Sequence, residues 1–509
     1  IPTTGAAPSI AVVSRLPDLT KQVAIDGTTQ SGGIVAITGG DFDGLTVTAD
    51  SSVVKGLAIS GFGGPGLTVT GSGTKVVANR FGTDATGTQY RPSGVGVLAA
   101  DGNGITIGGS APADGNQVVA GANSVGIYGL SGPSNPTDDL TIRNNTVGLD
   151  PTGSTALGPG PGAGILVLGD GPITSTITGN VVTATKAGIA VVGTGAAGSA
   201  ITANTVGLDR ARSGRVGSPL FGIRSDGAKG TTIGNNAVAA TGWDVTVSGS
   251  IQGNFSANSF QFFPPTSAAA SAPVTGGDEK VISNRVGLLG DGSLATGSGS
   301  EGITVWGGAD RALVQDNTVA GHTSAELRLI RGKDHRVLAN RLGLDPTGGT
   351  SLGGAGGIVA TATPGIRIGT SAADGNQIGG VSGTAILING NGKEKGGSAT
   401  VAGNRIGLLG DGSTAAGVGT GIAVTDAPGS TIGPENTVSN SRGNGIAISP
   451  TSVGSSITGN RVGTDGSSGL VELATVVSST TEECHGPTCV ASRRRRLLVR
   501  SSRGTRERT

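Results

Sequence analysis

The chain has no methionine, two cysteines, three histidines and two tryptophans among its 509 residues. Both cysteines, Cys484 and Cys489, fall near the C-terminus, so the body has no disulfide framework and this count does not fix the compartment. Aromatic residues make up 2%, too few for the large compact core of an ordinary domain of this length. His322, His335 and His485 are too few and too scattered for a zinc site. No apolar run approaches the roughly 18 residues of a membrane span. No phosphate loop, dinucleotide motif or Ser/His/Asp arrangement is present. No signal-peptide pattern remains, and the lack of methionine leads us to expect a start inside a longer precursor or after processing.

Glycine takes the place of what is missing, at 97 residues, far above its usual share of about 7%. These glycines keep no three-residue period, which excludes collagen. Val, Ile and Leu alternate with small polar residues throughout, the signature of strands. The formal charge of +1 conceals an asymmetry: residues 491–509 hold eight arginines against Glu507, a net +7, so the rest of the chain carries −6. The basic tail contrasts with the body and reads as a solvated, disordered end, or as an extension foreign to the body.

The strongest signal is repetition. NRVGLLGDGSLATGSG (284–299) returns as NRIGLLGDGSTAAGVG (404–419). Both belong to a row of the form Asn-x-φ-Gly, with φ apolar, beginning at Asn79, Asn145, Asn204, Asn284, Asn340, Asn404 and Asn460. A second row of asparagines (116, 180, 236, 317, 376 and 436) falls between them, and the combined steps mostly alternate short and long. A third row reads Gly-in-out-in, as in GLTV (44–47 and 66–69), GILV (164–167), GIAV (188–191 and 421–424) and GITV (302–305). A layer of 22 or 24 residues is too short for a helix pair with its own core. It accommodates three short strands and tight turns, one coil of a parallel β-helix. About fourteen coils at about 4.8 Å each predict a rod on the order of 65–70 Å long. The variable coils and the absence of a strict hexapeptide period favour the right-handed form, and the missing LxxLxL frame argues against leucine-rich repeats. Asparagine at a turn can donate and accept amide bonds to stacked copies of itself, so the row predicts a ladder.

The stretch SSVVKGLAISGFGGPGLTVTGSGTKVVANRFGTDATGT (51–88), preceded by VAIDGTTQ (23–30), resembles the right-handed parallel β-helix repeat proteins of bacteria, in the pectate-lyase-like superfamily. The resemblance covers roughly residues 10–475. It implies an all-β solenoid, and among its members are polysaccharide lyases and hydrolases as well as large secreted or surface proteins without assigned activity. Polygalacturonase-like members carry motifs resembling NTD, DD, GHG and RIK. Here Asp138-Asp139 stands without an NTD or RIK, and Gly321-His322 is followed by Thr323. A glycosidase needs paired carboxylates, and a lyase needs a calcium-binding carboxylate cluster and a base. Single aspartates such as Asp291, Asp411 and Asp465 recur in loops and read as turn residues. No cofactor is therefore expected; calcium is the one weighed, and no carboxylate cluster supports it.

One region departs from the pattern. The outward strand residues are small or aliphatic near both ends. In the middle, Arg224, Asp244, Trp306, Glu326 and Arg328 lie on or beside that strand, with Trp243 adjacent and Arg331 just beyond. Between the tryptophans comes the insertion FSANSFQFFPPTSAAASAP (255–273), with four of the eight phenylalanines. One reading packs the insertion over the tryptophans; the other makes these seven residues a shallow polysaccharide groove.

The sequence thus predicts cap strands over residues 1–40, a right-handed β-helix over 41–478 and a disordered basic tail over 479–509. It leads us to expect a secreted or cell-surface structural and adhesive protein, non-catalytic, with a polysaccharide or cell-envelope glycan as partner. No specific nucleic acid and no membrane span are expected. The alternative is a lyase or glycoside hydrolase acting on acidic glycans.

Overall fold

A computed structural model of the chain describes residues 8–30, 33–217, 219–250, 253–256, 259–262, 276–390, 398–463 and 475–477. The basic tail, both cysteines, His485, Asp465 and most of the 255–273 insertion lie outside the described residues. Of that insertion, Gly253–Ser256 and Ser259–Phe262 pair as an antiparallel hairpin.

Three long parallel sheets run through the described residues, with fifteen, fifteen and sixteen strands. The first sheet holds the Gly-in-out-in strands, starting at Leu45–Val47 and Pro65–Val69. The second starts at Ala24–Asp26 and Val53–Lys55. The third holds the strands after the asparagines, such as Arg80–Phe81 and Arg285–Val286. Each coil visits the three in that order, and among the described residues the last strand of the first sheet has no successors, which makes fourteen complete coils there. The fold is a right-handed parallel β-helix. Strands before residue 41, Ser9–Ala11, Ala24–Asp26 and Val35–Thr38, are parallel members of the same sheets. The helices among the described residues are three-residue turns, and none is long and apolar enough to cross a membrane.

Inside, Val, Ile and Leu stack in register from coil to coil, for example Ile223, Val245, Ile303 and Leu327, all fully buried. No large aromatic residue is needed, because each coil adds only a thin aliphatic layer. The asparagine rows merge into one continuous ladder at the corner before the third sheet. From Asn79 to Asn436 every member is at most 1% exposed. Asn340 is representative. Its Oδ1 accepts from the backbone N–H and Nδ2 of Asn317 at 3.0 and 2.9 Å. Its Nδ2 donates to Val314 O and to Asn376 Oδ1, both at 2.9 Å. A buried amide in this position leaves no donor or acceptor unmet.

The glycine of Asn-x-φ-Gly then turns the chain at positive φ: 74° at Gly287, 70° at Gly343 and 77° at Gly407. A hairpin loop follows, closed by antiparallel bridges such as Leu288–Leu294 and Leu408–Ala415. The loop aspartates hold these turns. Asp411 Oδ1 accepts from the N–H groups of Ser413 and Thr414, both at 2.8 Å, and hydrogen bonds from Thr414 first of all pull its pKa down to about 2.

The hairpins occur on every second coil, at 83–90, 149–156, 208–215, 288–294, 344–351 and 408–415. Several touch across the intervening coil: Arg210 N–H donates to Gly153 O at 2.9 Å, Gly290 N–H to Arg212 O at 2.8 Å, and Gly410 N–H to Gly348 O at 2.7 Å. Superimposed on the one-coil asparagine ladder is therefore a second ladder of hairpins with a two-coil pitch.

Candidate functional site

The departures in the middle of the rod separate into two places. On the outer face of the first sheet, Ala190, Arg224, Thr246, Thr304, Arg328 and Val359 form one register row across six coils. Arg224 and Arg328 therefore share a face. Arg224 is fully buried; its Nε meets Asp226 Oδ2 at 2.8 Å and its guanidinium lies 4.5 Å from the centroid of Phe221. Phe221 stacks on half-buried Trp243, with centroids 5.1 Å apart and planes 17° apart. Arg328 Nη1 pairs with Glu301 Oε1 at 2.5 Å, and Thr304 Oγ1 donates to Glu301 Oε2 at 2.7 Å. Trp306, in the next outward row with Asp226 and Ser248, is 2% exposed. Toward the N-terminus the same face becomes apolar, where Tyr128, Leu166, Ala190, Val192 and Phe221 form a buried cluster. Arg331 sits in the turn after its strand at φ 62°, and its carbonyl accepts from His335 Nε2 at 3.0 Å.

Asp244 and Glu326 lie elsewhere. Each precedes the first inward residue of its strand, the position held by Gly188, Gly222, Gly302 and Gly357 in neighbouring coils. The row is glycine for a steric reason: a Cβ at Gly222 would stand 2.3 Å from Val238 Cγ1 and 2.5 Å from Asp244 O. Two coils apart, the row is broken by carboxylates. Between them stands His322, brought there by the short turn from the third sheet to the first. Its Nε2 lies 2.8 Å from Asp244 Oδ2 and its Nδ1 2.5 Å from Glu326 Oε2, while its backbone N–H donates to Glu326 Oε1 at 3.2 Å. All three side chains are sealed from solvent.

Burial pushes the imidazole pKa down, but the charge of Glu326 and the hydrogen bonds that Asp244 and Glu326 accept from the ring outweigh it and raise the value to about 10. With both ring nitrogens facing carboxylates, His322 is an imidazolium that donates twice. Gly302, in the coil that His322 crosses, must stay small. A Cβ there would lie 2.3 Å from Val319 Cγ1, 2.6 Å from Glu326 O and 3.0 Å from His322 Cε1. Gly302→Ala is expected to lower stability by about 1–3 kcal/mol through overpacking. Thermal melting checks it, and an unchanged midpoint would mean that the corner has slack.

The sequence placed Arg224, Trp243, Trp306 and Arg328 on one outer face, and they are together there. Asp244 and Glu326 instead turn into the corner with His322, a residue that motif comparison passed over. The same comparison passed over Phe221, Asp226 and Glu301. The available signal was the broken glycine row. Asp138 and Asp139 lie in a turn, where Asp138 Oδ1 accepts from Thr174 N–H at 3.1 Å. Among the described residues no group of three His, Cys, Asp or Glu side chains is arranged to hold a metal ion.

No family model matches the chain, and no curated protein matches its sequence. Solved structures resemble it loosely. The A-module of a mannuronan C-5 epimerase from Azotobacter vinelandii is 11% identical, with 85% of this chain and 93% of that one covered and a TM-score of 0.34. A DFA-IIIase from Arthrobacter chlorophenolicus, solved in complex with GF2, is 12% identical, with 87% and 88% covered and a TM-score of 0.34. A tailspike protein of the E. coli bacteriophage HK620, solved in complex with a pentasaccharide, is 13% identical, with 90% and 74% covered and a TM-score of 0.35.

Proposed function

We propose that the protein is a non-catalytic β-helix rod, structural and adhesive, that acts outside the cell and binds polysaccharide. The observation that supports this most is the state of the acid–base groups at mid-rod. A hydrolase or lyase needs carboxylates or a base within reach of a sugar. Asp244, His322 and Glu326 instead spend their hydrogen-bonding capacity on one another, away from solvent. An imidazole protonated up to about pH 10 accepts no proton at neutral pH. These groups tie coils together.

The glycan surface we assign is the margin of the outer face on the same coils. Arg328 keeps 35% of its side chain in solvent, and Trp243 and Arg331 are half-buried. A Trp face covers apolar sugar C–H surface, and guanidinium groups suit carboxylates or sulfates. Arg224 and Trp306, both buried, would brace that margin from below. A glycan panel, followed by a product assay on each bound glycan, tests the reading. Binding without new reducing or unsaturated ends is expected, and Arg328→Lys, which keeps a cation beside the nearly buried Glu301 but loses the guanidinium fork, should weaken it while melting stays within a few degrees of the parent. Turnover of a bound glycan would overturn the non-catalytic reading, and an empty panel the adhesive one.

A further inference from the structure

The outer face of the third sheet carries a column of positive charge that the reading above does not use. In the hairpin-bearing coils the residue after the asparagine points outward beneath its own hairpin. Four of the described hairpin-bearing coils have arginine there, and in three the guanidinium reaches a hairpin carbonyl: Arg285 Nη1 donates to Gly290 O at 3.3 Å, Arg405 Nη1 to Gly410 O at 2.8 Å, and Arg80 to Ala85 O; the fourth is Arg341. In two coils that position is threonine, and there a single hairpin, 208–215, supplies both guanidinium groups. Arg212 Nε donates to Thr205 Oγ1 at 3.1 Å, and Arg210 donates to Thr146 Oγ1. Two different sequence solutions thus place one guanidinium group on the same column every second coil. None of these arginines forms an ion pair with a carboxylate among the described residues. Arg212 also feels the like charge of Arg285 across the intervening Ala237. Asp84 offsets the charge of Arg80 at the N-terminal end of the column; farther along, like charges held in a row are stabilised by an anion laid along them.

The column opens into a cleft near its C-terminal end. Gln377, Arg405, Thr437 and Arg461 are consecutive register partners on four coils. Together with Glu435 they line a cavity of about 350 Å³, at the lower end of the roughly 300–1,000 Å³ that ligand pockets occupy. Arg461 is exposed, and Glu435 is occupied in part, accepting from Ala372 N–H at 3.0 Å. Arg405 and Arg461 are two coils apart, about 9.6 Å along the rod. That separation is close to the length of one disaccharide in an extended glycan.

We propose that this column is a second, separate binding track for a linear acidic glycan that carries one carboxylate or sulfate per disaccharide, seated deepest in the cleft between Arg405 and Arg461. The guanidinium groups hold the charged sugars and the intervening Thr437 faces the uncharged one. Glu435 accepts hydroxyl hydrogens, and it repels the continuous phosphate backbone of a nucleic acid. The proposal does not depend on the first-sheet margin.

Titration calorimetry at low salt with a hyaluronan decasaccharide, whose glucuronates fall on alternate sugars, tests it. Binding should weaken about tenfold in Arg461→Gln, the loss of one charge-assisted contact, and further in the Arg405→Gln/Arg461→Gln double variant. Arg367→Gln, an exposed arginine on the second sheet, should bind as the parent does. Arg461 makes no contact on which folding depends among the described residues, so its single variant remains informative if the double variant unfolds. No binding by the parent, undiminished binding by the Arg461→Gln protein, or tighter binding of a single-stranded DNA decamer would each overturn the proposal.

Discussion

His322→Ala is expected to destabilise the middle of the rod by about 3–5 kcal/mol, the cost of leaving buried charges without their partner. Asp244 and Glu326 both lose their cation at once, two coils apart, with no solvent to take its place. Because each coil contacts only its neighbours, the loss should appear first as local opening. Hydrogen exchange of the amides near Gly302 and Val319 will register it before global melting does. The pH dependence has a definite sign. The pKa of His322 is raised in the folded state, from an ordinary 6.5 to about 10. Its contribution is therefore complete below about pH 6.5 and is lost as pH rises through about 10. Denaturation measured across that window should show stability falling in the parent and a flatter profile in the alanine variant. A parent whose stability rises over the same range would show that the ring is not held as an imidazolium.

Asn340→Ala should cost about 1–3 kcal/mol, the penalty for orphaning a buried polar group. The variant leaves the backbone N–H of Asn317 without its partner and takes one donor from the carbonyl of Val314. Nδ2 of Asn317 keeps Val281 O and Gln315 O, which limits the damage. Asn340→Asp fails as well, because the position must donate as well as accept. Asn460 is the internal control. It is the last ladder member among the described residues, half-buried, with its Nδ2 donating to Ile432 O at 2.8 Å. Asn460→Ala should cost clearly less than Asn340→Ala. Equal losses at the two positions would mean that the ladder contributes through turn geometry alone.

The solenoid was legible because its rows are regular. Asparagine, apolar residue and glycine recur at fixed places in the coil, and that recurrence is the architecture. The candidate site was legible only in part, for two physical reasons. Alternation along a strand tells which side a residue faces, and so it put Arg224 and Trp306 correctly on the outside of the first sheet. It does not tell whether that outside meets water, and both are buried. Alternation also fails at the residue just before the first inward position, where the chain turns the corner. Asp244 and Glu326 occupy that place, and only their substitution for glycine marked them. His322 was harder still: it lies 78 residues from Asp244, with the whole insertion between them. It is brought close because two coils of any contour length span only about 9.6 Å of rod.

The alternation of hairpin-bearing and plain coils sets the unit by which such a rod can change its length. Adding or deleting one coil would preserve the core and the asparagine ladder but would bring two hairpins, or two plain coils, side by side. Two coils, added or removed together, leave both ladders intact. The internal repeats of the chain obey this parity. NRVGLLGDGSLATG at 284 and NRIGLLGDGSTAAG at 404 are separated by four steps of the asparagine ladder. LDPTG at 149 and at 344 follow Asn145 and Asn340, six steps apart. The phrase that recurs in this sequence thus stands at an even interval, and a pair of coils is the smallest unit whose addition keeps both ladders in register.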